Sequence, residues 1–230
     1  MDTIIFDIPH QQSVRQLESR LKQRLQLQLL SSELVTRTYL DTFEWRIYND
    51  GDVLEVNSFK TGLWLTWRSL QNNQIHTRLP LDHIPEFIWN MKGTNLHDKL
   101  KKIIGVRALL PIASVYSRIS SASVLNKKNK TVLRLEVQVD YPYSAENTQA
   151  KKLSTIIAKR VHLFPVKGHA KKLYETCRYL TEQCQLIPET DDALITTRTY
   201  LNQTPETSTI YPIYVDQHQR ADISVKNIFQ

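Results

Sequence analysis

The sequence predicts an α+β fold built on an antiparallel sheet, and two kinds of pattern support this. About seven β-like runs alternate between apolar and polar residues and are separated by polar turn sequences, whereas two or three longer segments show helical spacing. Several of the strands carry both signs of charge on one face and apolar residues on the other. This fits an open sheet with its polar face in water, which the physics alone favours, or a closed barrel with a charged interior.

The first part of the chain reads as a strand, a helix and four further strands. Ser13 stands at the cap position of the helix. The apolar stripe of this helix consists of Val14, Leu17, Leu21 and Leu25. Residues 36–56 read as two strands joined by a polar elbow, with a turn signal at residues 49–52. The predicted strands are residues 3–8, the two strands of 36–56, and residues 63–68 and 75–79.

The second part begins with a helical region that opens at Pro85 and ends at Gly105. Residues 106–125 and 131–140 then read as a hairpin, in which the second strand places Arg134, Glu136, Gln138 and Asp140 on one face. Residues 151–158 fit a helix or a strand, and residues 160–164 read as a strand. Gly168 precedes a last helix, whose apolar face holds Leu173, Cys177, Leu180 and Cys184.

Composition limits the classes of protein to which the chain can belong. Its 230 residues suit one large domain, or one domain with appendages. There is no run of 18 apolar residues and no basic leader followed by an apolar segment, so we expect a cytoplasmic protein with no membrane partner. Glycine-rich nucleotide motifs are absent from the sequence. Cys177 and Cys184 are expected to be reduced thiols of the core.

The net charge of +7 is distributed unevenly. Residues 90–180 contain 18 Lys and Arg but 5 Asp and Glu. Such an asymmetry favours a polyanionic partner, and a lysine-rich soluble surface is the alternative interpretation. Zinc-finger, helix-turn-helix and RNA-recognition signatures do not occur in the sequence, so a nucleic acid is not the expected partner.

Residues 36–56 resemble the "DTYYDT…L…G..LRVR" stretch of the CYTH family, the triphosphate tunnel enzymes. Weaker matches follow in the family order at residues 65–68, residues 107–111 with Arg118, and residues 167–169. Their order and spacing are most similar to the CYTH-like domain that precedes a CHAD domain in bacterial two-domain proteins. The resemblance predicts a tunnel domain over residues 1–187. Residues 188–230 would be a linker, with residues 211–230 resembling the connection into a CHAD helical bundle.

The resemblance implies a fold, a ligand and a set of site residues. The family fold is an eight-stranded antiparallel barrel with helices outside and a charged tunnel. Inward Lys and Arg of the family bind a triphosphate, and inward Asp and Glu hold one or two Mg²⁺ or Mn²⁺ ions. The implied phosphate-binding residues are Arg37, Arg68, Arg78, Arg118, Arg134, Arg160 and Lys167. Secondary candidates for a metal ion are Glu55, Glu136 and Asp140.

The chain also departs from the family pattern at residues that matter for catalysis. The family motif E-x-E-x-K falls on Met1, Thr3 and Ile5, so neither carboxylate nor the lysine remains. Glu55 and Asn57 stand where the family has two phosphate-binding arginines. The acidic ligands for magnesium are therefore lost at the motif, and the sequence assigns no catalytic residue and no certain cofactor.

Three functional hypotheses remain at this point. The first, which the sequence favours, is a non-catalytic tunnel domain that binds inorganic polyphosphate, triphosphate or another phosphate-rich anion in a basic tunnel, or that docks a CHAD domain. The second is a metal-dependent inorganic triphosphatase in which Glu55, Glu136 and Asp140 hold Mg²⁺ or Mn²⁺. The third is a structural or interaction module with no ligand in its tunnel.

Overall fold

A computed structural model describes residues 3–143, 155–189, 191–202, 214–215 and 221–222. The strands of its main sheet are β1 (Ile4–Asp7), β2 (Leu27–Asp41), β3 (Asp52–Phe59), β4 (Gly62–Ser69), β5 (Ile75–Leu81), β6 (Leu110–Leu125), β7 (Thr131–Pro142), β8 (Ala158–Pro165) and β9 (Ile187–Pro188). The helices are α1 (Val14–Arg24), α2 (Arg46–Asn49), α3 (Asn95–Ile104), α4 (Ala170–Glu182) and α5 (Ala193–Tyr200), with a 3₁₀ turn at Ile88–Met91. Two short strands, β10 (Tyr214–Val215) and β11 (Ala221–Asp222), pair with each other.

The main sheet is wholly antiparallel, with the strand order β5-β4-β3-β2-β6-β7-β8-β1-β9. The predicted α+β class, the antiparallel pairing and the position of the helices outside the sheet are confirmed. The prediction of a closed barrel needs correction, because no backbone pairing joins β5 to β9 in the described part of the chain. Side chains bridge this opening instead: Arg68 pairs with Asp192, and Asn73 donates to Glu189 over 3.1 Å.

The outer face of the sheet carries two apolar cores, because apolar residues alternate with inward polar ones along each strand. Leu17 and Leu21 of α1 and Leu180 of α4 pack on Leu135 and Val161 in the first core. The second core lies under α3 and the 3₁₀ turn and is formed by Leu40, Leu54, Leu65, Ile88, Leu96 and Leu100. The helices therefore cover the apolar side of the strands, which leaves the polar side facing inward.

A third core closes one end of the interior. Tyr39, Val53 and Val115 meet Leu194 of α5 there, all of them buried. α5 lies in the segment that the sequence assigned to a linker, and β9 crosses the predicted boundary and pairs with Phe6 and Asp7 of β1. The domain boundary near residue 187 stays a prediction. The resemblance of residues 211–230 to a connecting segment falls outside the described residues, apart from β10 and β11.

The elbow at residues 41–51 contains a feature that the sequence did not predict, the short helix α2. Asp41 organises it, since its carboxylate accepts hydrogen bonds from the backbone N–H groups of Thr42 at 2.6 Å, Ile47 at 2.9 Å and Tyr48 at 2.9 Å. Trp45 has a φ of 58°, in the left-handed region, which is uncommon for a bulky residue. The carboxylate therefore satisfies three N–H groups of a tight turn at once.

Two other sequence predictions can be compared with the structure. Cys177 and Cys184 are both free thiols, as predicted, and Cys184 is buried in the core beneath α4. Among the described residues, no helix combines the length and the apolar character that crossing a bilayer requires.

Candidate functional site

The concave face of the sheet encloses a cavity of about 310 Å³. Each of the strands β1 to β8 contributes to its wall, so this cavity is the interior of the curved sheet. The charged residues of the lining are Arg37, Arg68, Arg78, Glu33, Glu55, Glu136, Glu189 and Asp192. Three arginines thus face five carboxylates, and the interior is more acidic than the basic tunnel that the sequence predicted.

The middle of the cavity is occupied by Arg37 on β2. Its Nε donates to Oδ1 of Asn57 over 3.0 Å, and its Nη2 donates to Oε1 of Gln138 over 3.2 Å. Burial by itself would lower the pKa of this guanidinium, but the field of Glu55 and other neighbours raises the pKa overall. The direct partners that hold this buried cation in place are therefore two neutral amides.

The deep end of the cavity is held by Arg68 on β4. Its two Nη atoms reach both carboxylate oxygens of Asp192, with Nη2 3.1 Å from Oδ1, and Nη1 also donates to Asn73 over 2.7 Å. Glu55 lies 3.5 Å from Nη2. Burial opposes the charged form, yet Glu55 and Asp192 outweigh it and raise the pKa of Arg68. The charge of Arg68 is thus matched within the protein.

Beyond the deep end of the cavity, on the same face of β8 as His162, Arg160 forms a second ion-pair network. The guanidinium is 2% exposed as a side chain and lies within 3.2 Å of Asp7, 3.4 Å of Asp140 and 3.4 Å of Glu189. Its Nη2 also donates to Oγ1 of Thr196 in α5 over 2.7 Å. These contacts tie β1, β7, β8 and α5 together at the closed end.

The opposite end of the cavity is its mouth, where the side chains become more exposed. Arg78 of β5 is exposed and stacks on the ring of Trp64 at 5.1 Å. Glu33 and Glu136 are half-buried beside it, and Glu136 accepts a hydrogen bond from Ser121 over 3.1 Å. Burial raises the pKa of Glu136. The mouth therefore combines one exposed cation with two carboxylates, one of which protonates more readily than usual.

A neutral imidazole completes the wall. Burial, with the added repulsion of Arg37, Arg160 and Arg68, lowers the pKa of His162 to about 3. Its Nε2 is buried without a hydrogen-bond partner among the described residues. At neutral pH His162 therefore adds no charge to the cavity but offers one polar atom to it.

Glu189, at the closed end, makes the stability of the protein depend on pH. Burial, reinforced by Asp192 and Asp7, raises its pKa from 4.5 to about 7. Between these two values the folded protein binds more protons than the unfolded chain, so stability falls as the pH rises. We expect Glu189→Gln to be about 1–2 kcal/mol more stable than wild type at pH 8 and about equal to it at pH 4, below both pKa values, measured by urea unfolding. A difference that is the same at both pH values would contradict this.

The structure brings together part of the predicted phosphate-binding set. Arg37, Arg68 and Arg78 line the cavity, and Arg160 is buried at the closed end of the same interior. Arg118 instead lies on the outer face, over the ring of Tyr141 at 5.6 Å. Arg134 and Lys167 are exposed and are not part of the cavity lining. The predicted set therefore divides into three arginines of the cavity, one of the closed end and three cations elsewhere.

The metal candidates divide in the same way. Glu55 and Glu136 line the cavity, whereas Asp140 lies at the closed end of the interior, where it contacts Ser117, Gln138 and Arg160. In the described part of the chain, no three or more His, Cys, Asp or Glu residues come together so that they could hold a metal ion. The donors of the described residues are therefore not arranged as a metal site.

Several important residues of the site were not among the predicted ones. Gln138 lies on the same strand face as Glu136, so the alternation of β7 could have indicated it. Asn57 could have been found in the same way from Glu55 on β3. Asp192 gave no such signal, because it follows β9 in a segment that the sequence assigned to a linker.

Comparison with known proteins supports the fold. No protein-family model matches the sequence, and no curated protein matches it. The solved structure of HpAC1 from Hippeastrum, described as a candidate adenylyl cyclase with a dominant triphosphatase activity, has a TM-score of 0.57 at 12% identity. The match covers 86% of this chain and 95% of that one. A candidate adenylate cyclase from Bacillus halodurans has a TM-score of 0.56 at 12% identity, over 85% of this chain and 98% of that one. The chain thus shares the fold of these two structures.

Proposed function

We propose that this chain is a non-catalytic tunnel domain that binds a phosphate-rich anion, such as inorganic polyphosphate or triphosphate, through Arg37. The observation that carries the proposal is the pairing of Arg37, whose hydrogen bonds to Asn57 and Gln138 orient the guanidinium without neutralising it. Guanidinium groups suit phosphate because their N–H donors match two phosphate oxygens at once. An anion entering the cavity would form direct charge-assisted hydrogen bonds with this guanidinium, whereas Glu55 compensates its charge only through the electric field and not through a direct contact.

The other arginines explain why the site is centred on Arg37. Arg68 and Arg160 each contact two or more carboxylates, so an incoming phosphate would have to displace an existing ion pair. Arg78 is exposed at the mouth, where it can follow an anion into the cavity. Glu33 and Glu136 oppose the anion there, so we expect the affinity to be modest and to depend on salt.

The proposal that the domain is non-catalytic rests on the donor set. Thr3, just before β1, and Ile5 on β1 line the cavity. Thr3 presents a hydroxyl where the family motif has its second carboxylate, and Ile5 presents a hydrocarbon where the motif has its lysine. The carboxylates that remain in the cavity are spread between its mouth and its deep end. A metal-dependent triphosphatase is the second candidate, and Glu33 and Glu136, which both face the cavity at its mouth, are the feature that favours it.

The experiment that tests the proposal is calorimetric titration with tripolyphosphate at two salt concentrations. We expect Arg37→Gln to weaken binding about 10- to 100-fold, because charge-assisted hydrogen bonds to the phosphate are lost. The matched control is Arg178→Gln, since Arg178 lies exposed on α4 and pairs with Glu182. Wild-type binding should weaken as salt increases.

Each alternative predicts a different result. Phosphate release from tripolyphosphate that requires Mg²⁺ or Mn²⁺ and is lost in Glu136→Gln would replace our proposal with the triphosphatase. No binding of tripolyphosphate by the wild type at low salt would favour a structural or interaction module. A CHAD domain as partner and a cytoplasmic location remain predictions from the sequence.

A further inference from the structure

We propose that Asp192 acts as an internal anion that fills the deep end of the cavity and limits the bound ligand to the terminal phosphate or two of a chain. This inference rests on the proposed function, since it concerns the length of the anion that Arg37 binds. It makes Asp192 a specificity-determining residue.

The contacts of Asp192 are those that a phosphate group would make. Its two oxygens meet the two Nη atoms of Arg68 in a bidentate pair, which is the geometry that guanidinium groups adopt with phosphate as well. Asp192 is buried and lines the same cavity as Arg37. The carboxylate therefore occupies the position at which a second or third phosphate of an entering chain would find its cation.

Several hydrogen bonds fix the position of the segment that carries Asp192. Oδ1 of Asp192 also accepts from the backbone N–H of Leu194 over 2.7 Å and so caps α5. Thr196 of the same helix accepts from Arg160, and Glu189 accepts from Asn73. An anion cannot displace the carboxylate from Arg68 without disturbing this set of contacts, so the deep end stays closed to it.

The cations left for a ligand are then few. Arg37 lies in the middle of the cavity and Arg78 at its mouth. The carboxylates of Glu33 and Glu136 line the cavity between these two arginines. A triphosphate buried along its whole length would bring several charges into a space with too little compensation. One or two phosphates at Arg37, with the rest of a longer chain left outside, suit these charges.

The test compares phosphate, pyrophosphate and tripolyphosphate by calorimetry. For the wild type we expect the affinities for pyrophosphate and tripolyphosphate to agree within about threefold, because the third phosphate gains no cation. Asp192→Asn should bind tripolyphosphate about tenfold or more tightly than the wild type, since Arg68 becomes available as a charged donor. Asparagine is also a good helix cap, so α5 should keep its start.

The matched control is Asp191→Asn, which makes the same change at the adjacent, exposed side chain and should bind as the wild type does. Equal tripolyphosphate affinities of wild type and Asp192→Asn would overturn the inference. A wild-type affinity that rises about tenfold from pyrophosphate to tripolyphosphate would also overturn the inference. This second measurement uses the wild-type protein alone, so it does not depend on the folding of a variant.

The proposed function fails in a different way. If Arg37→Gln binds pyrophosphate as well as the wild type does, Arg37 is not the anion ligand, whatever Asp192 does. If Arg37→Gln loses pyrophosphate but Asp192→Asn leaves the preference for chain length unchanged, the anion site stands and the role of Asp192 is refuted.

Discussion

Arg160→Ala is expected to lower the free energy of unfolding by about 3–5 kcal/mol, which is the usual cost of removing one partner from a buried ion pair. The guanidinium is nearly inaccessible and compensates Asp7, Asp140 and Glu189. Alanine leaves these carboxylates close together with no cation among them. Urea unfolding at pH 7, followed by circular dichroism, measures the change.

An exposed ion pair provides the control for this prediction. Arg107 lies 3.2 Å from Glu44 at the surface, and Arg107→Ala should cost about 1 kcal/mol or less. The deficit of Arg160→Ala relative to wild type should also shrink on acidification, because protonation removes the charge of the unpaired carboxylates. A loss as small as that of Arg107→Ala would show that Arg160 does not hold the closed end together.

Asp41→Ala is expected to lower the free energy of unfolding by about 2–4 kcal/mol. The reason is the turn that Asp41 organises, since three backbone N–H groups, those of Thr42, Ile47 and Tyr48, lose their acceptor. A buried donor without a partner costs about 1–3 kcal/mol, and relaxation and water lower the sum. Thermal and urea unfolding of the purified domain measure the effect.

Asp50 is the matched control, because it is an exposed carboxylate at the end of the same elbow. Asp50→Ala should change stability by about 0.5 kcal/mol or less. The stability of Asp41→Asn should lie between those of Asp41→Ala and Asp50→Ala, since the asparagine amide keeps one oxygen that can accept from the N–H groups. If Asp41→Ala and Asp50→Ala were equally stable, the three hydrogen bonds of Asp41 would not be what holds the elbow.

The structure changes the interpretation of the uneven charge distribution along the chain. The excess of Lys and Arg over residues 90–180 favoured a polyanionic partner, but many of these cations are exposed on α3, on the turn after β6 and around α4. The arginines that do face the interior are outnumbered there by carboxylates. A count along the chain cannot separate these two surfaces, because the distribution depends on which strand face each residue occupies.

The strands along the chain and their antiparallel pairing followed from local patterns, whereas the curved sheet with helices outside came from the resemblance. Alternation fixes which residues share a face, so the inward direction of Arg37, Glu55 and Glu136 was within reach of the sequence. The resemblance added the curvature that turns one face into an interior. The predicted closure was wrong in part, since the ends of the sheet meet through side chains and not through a backbone ladder.

The sequence by itself determined the fold class and which residues of the long strands share the inner face, because side-chain direction along a strand is a local property with a period of two. Only the tertiary structure decided which of these charges remain available to a ligand. The pairing of Arg68 with Asp192 joins residues 124 positions apart. Such a contact depends on how the sheet curves and where α5 docks, and no local pattern contains that information.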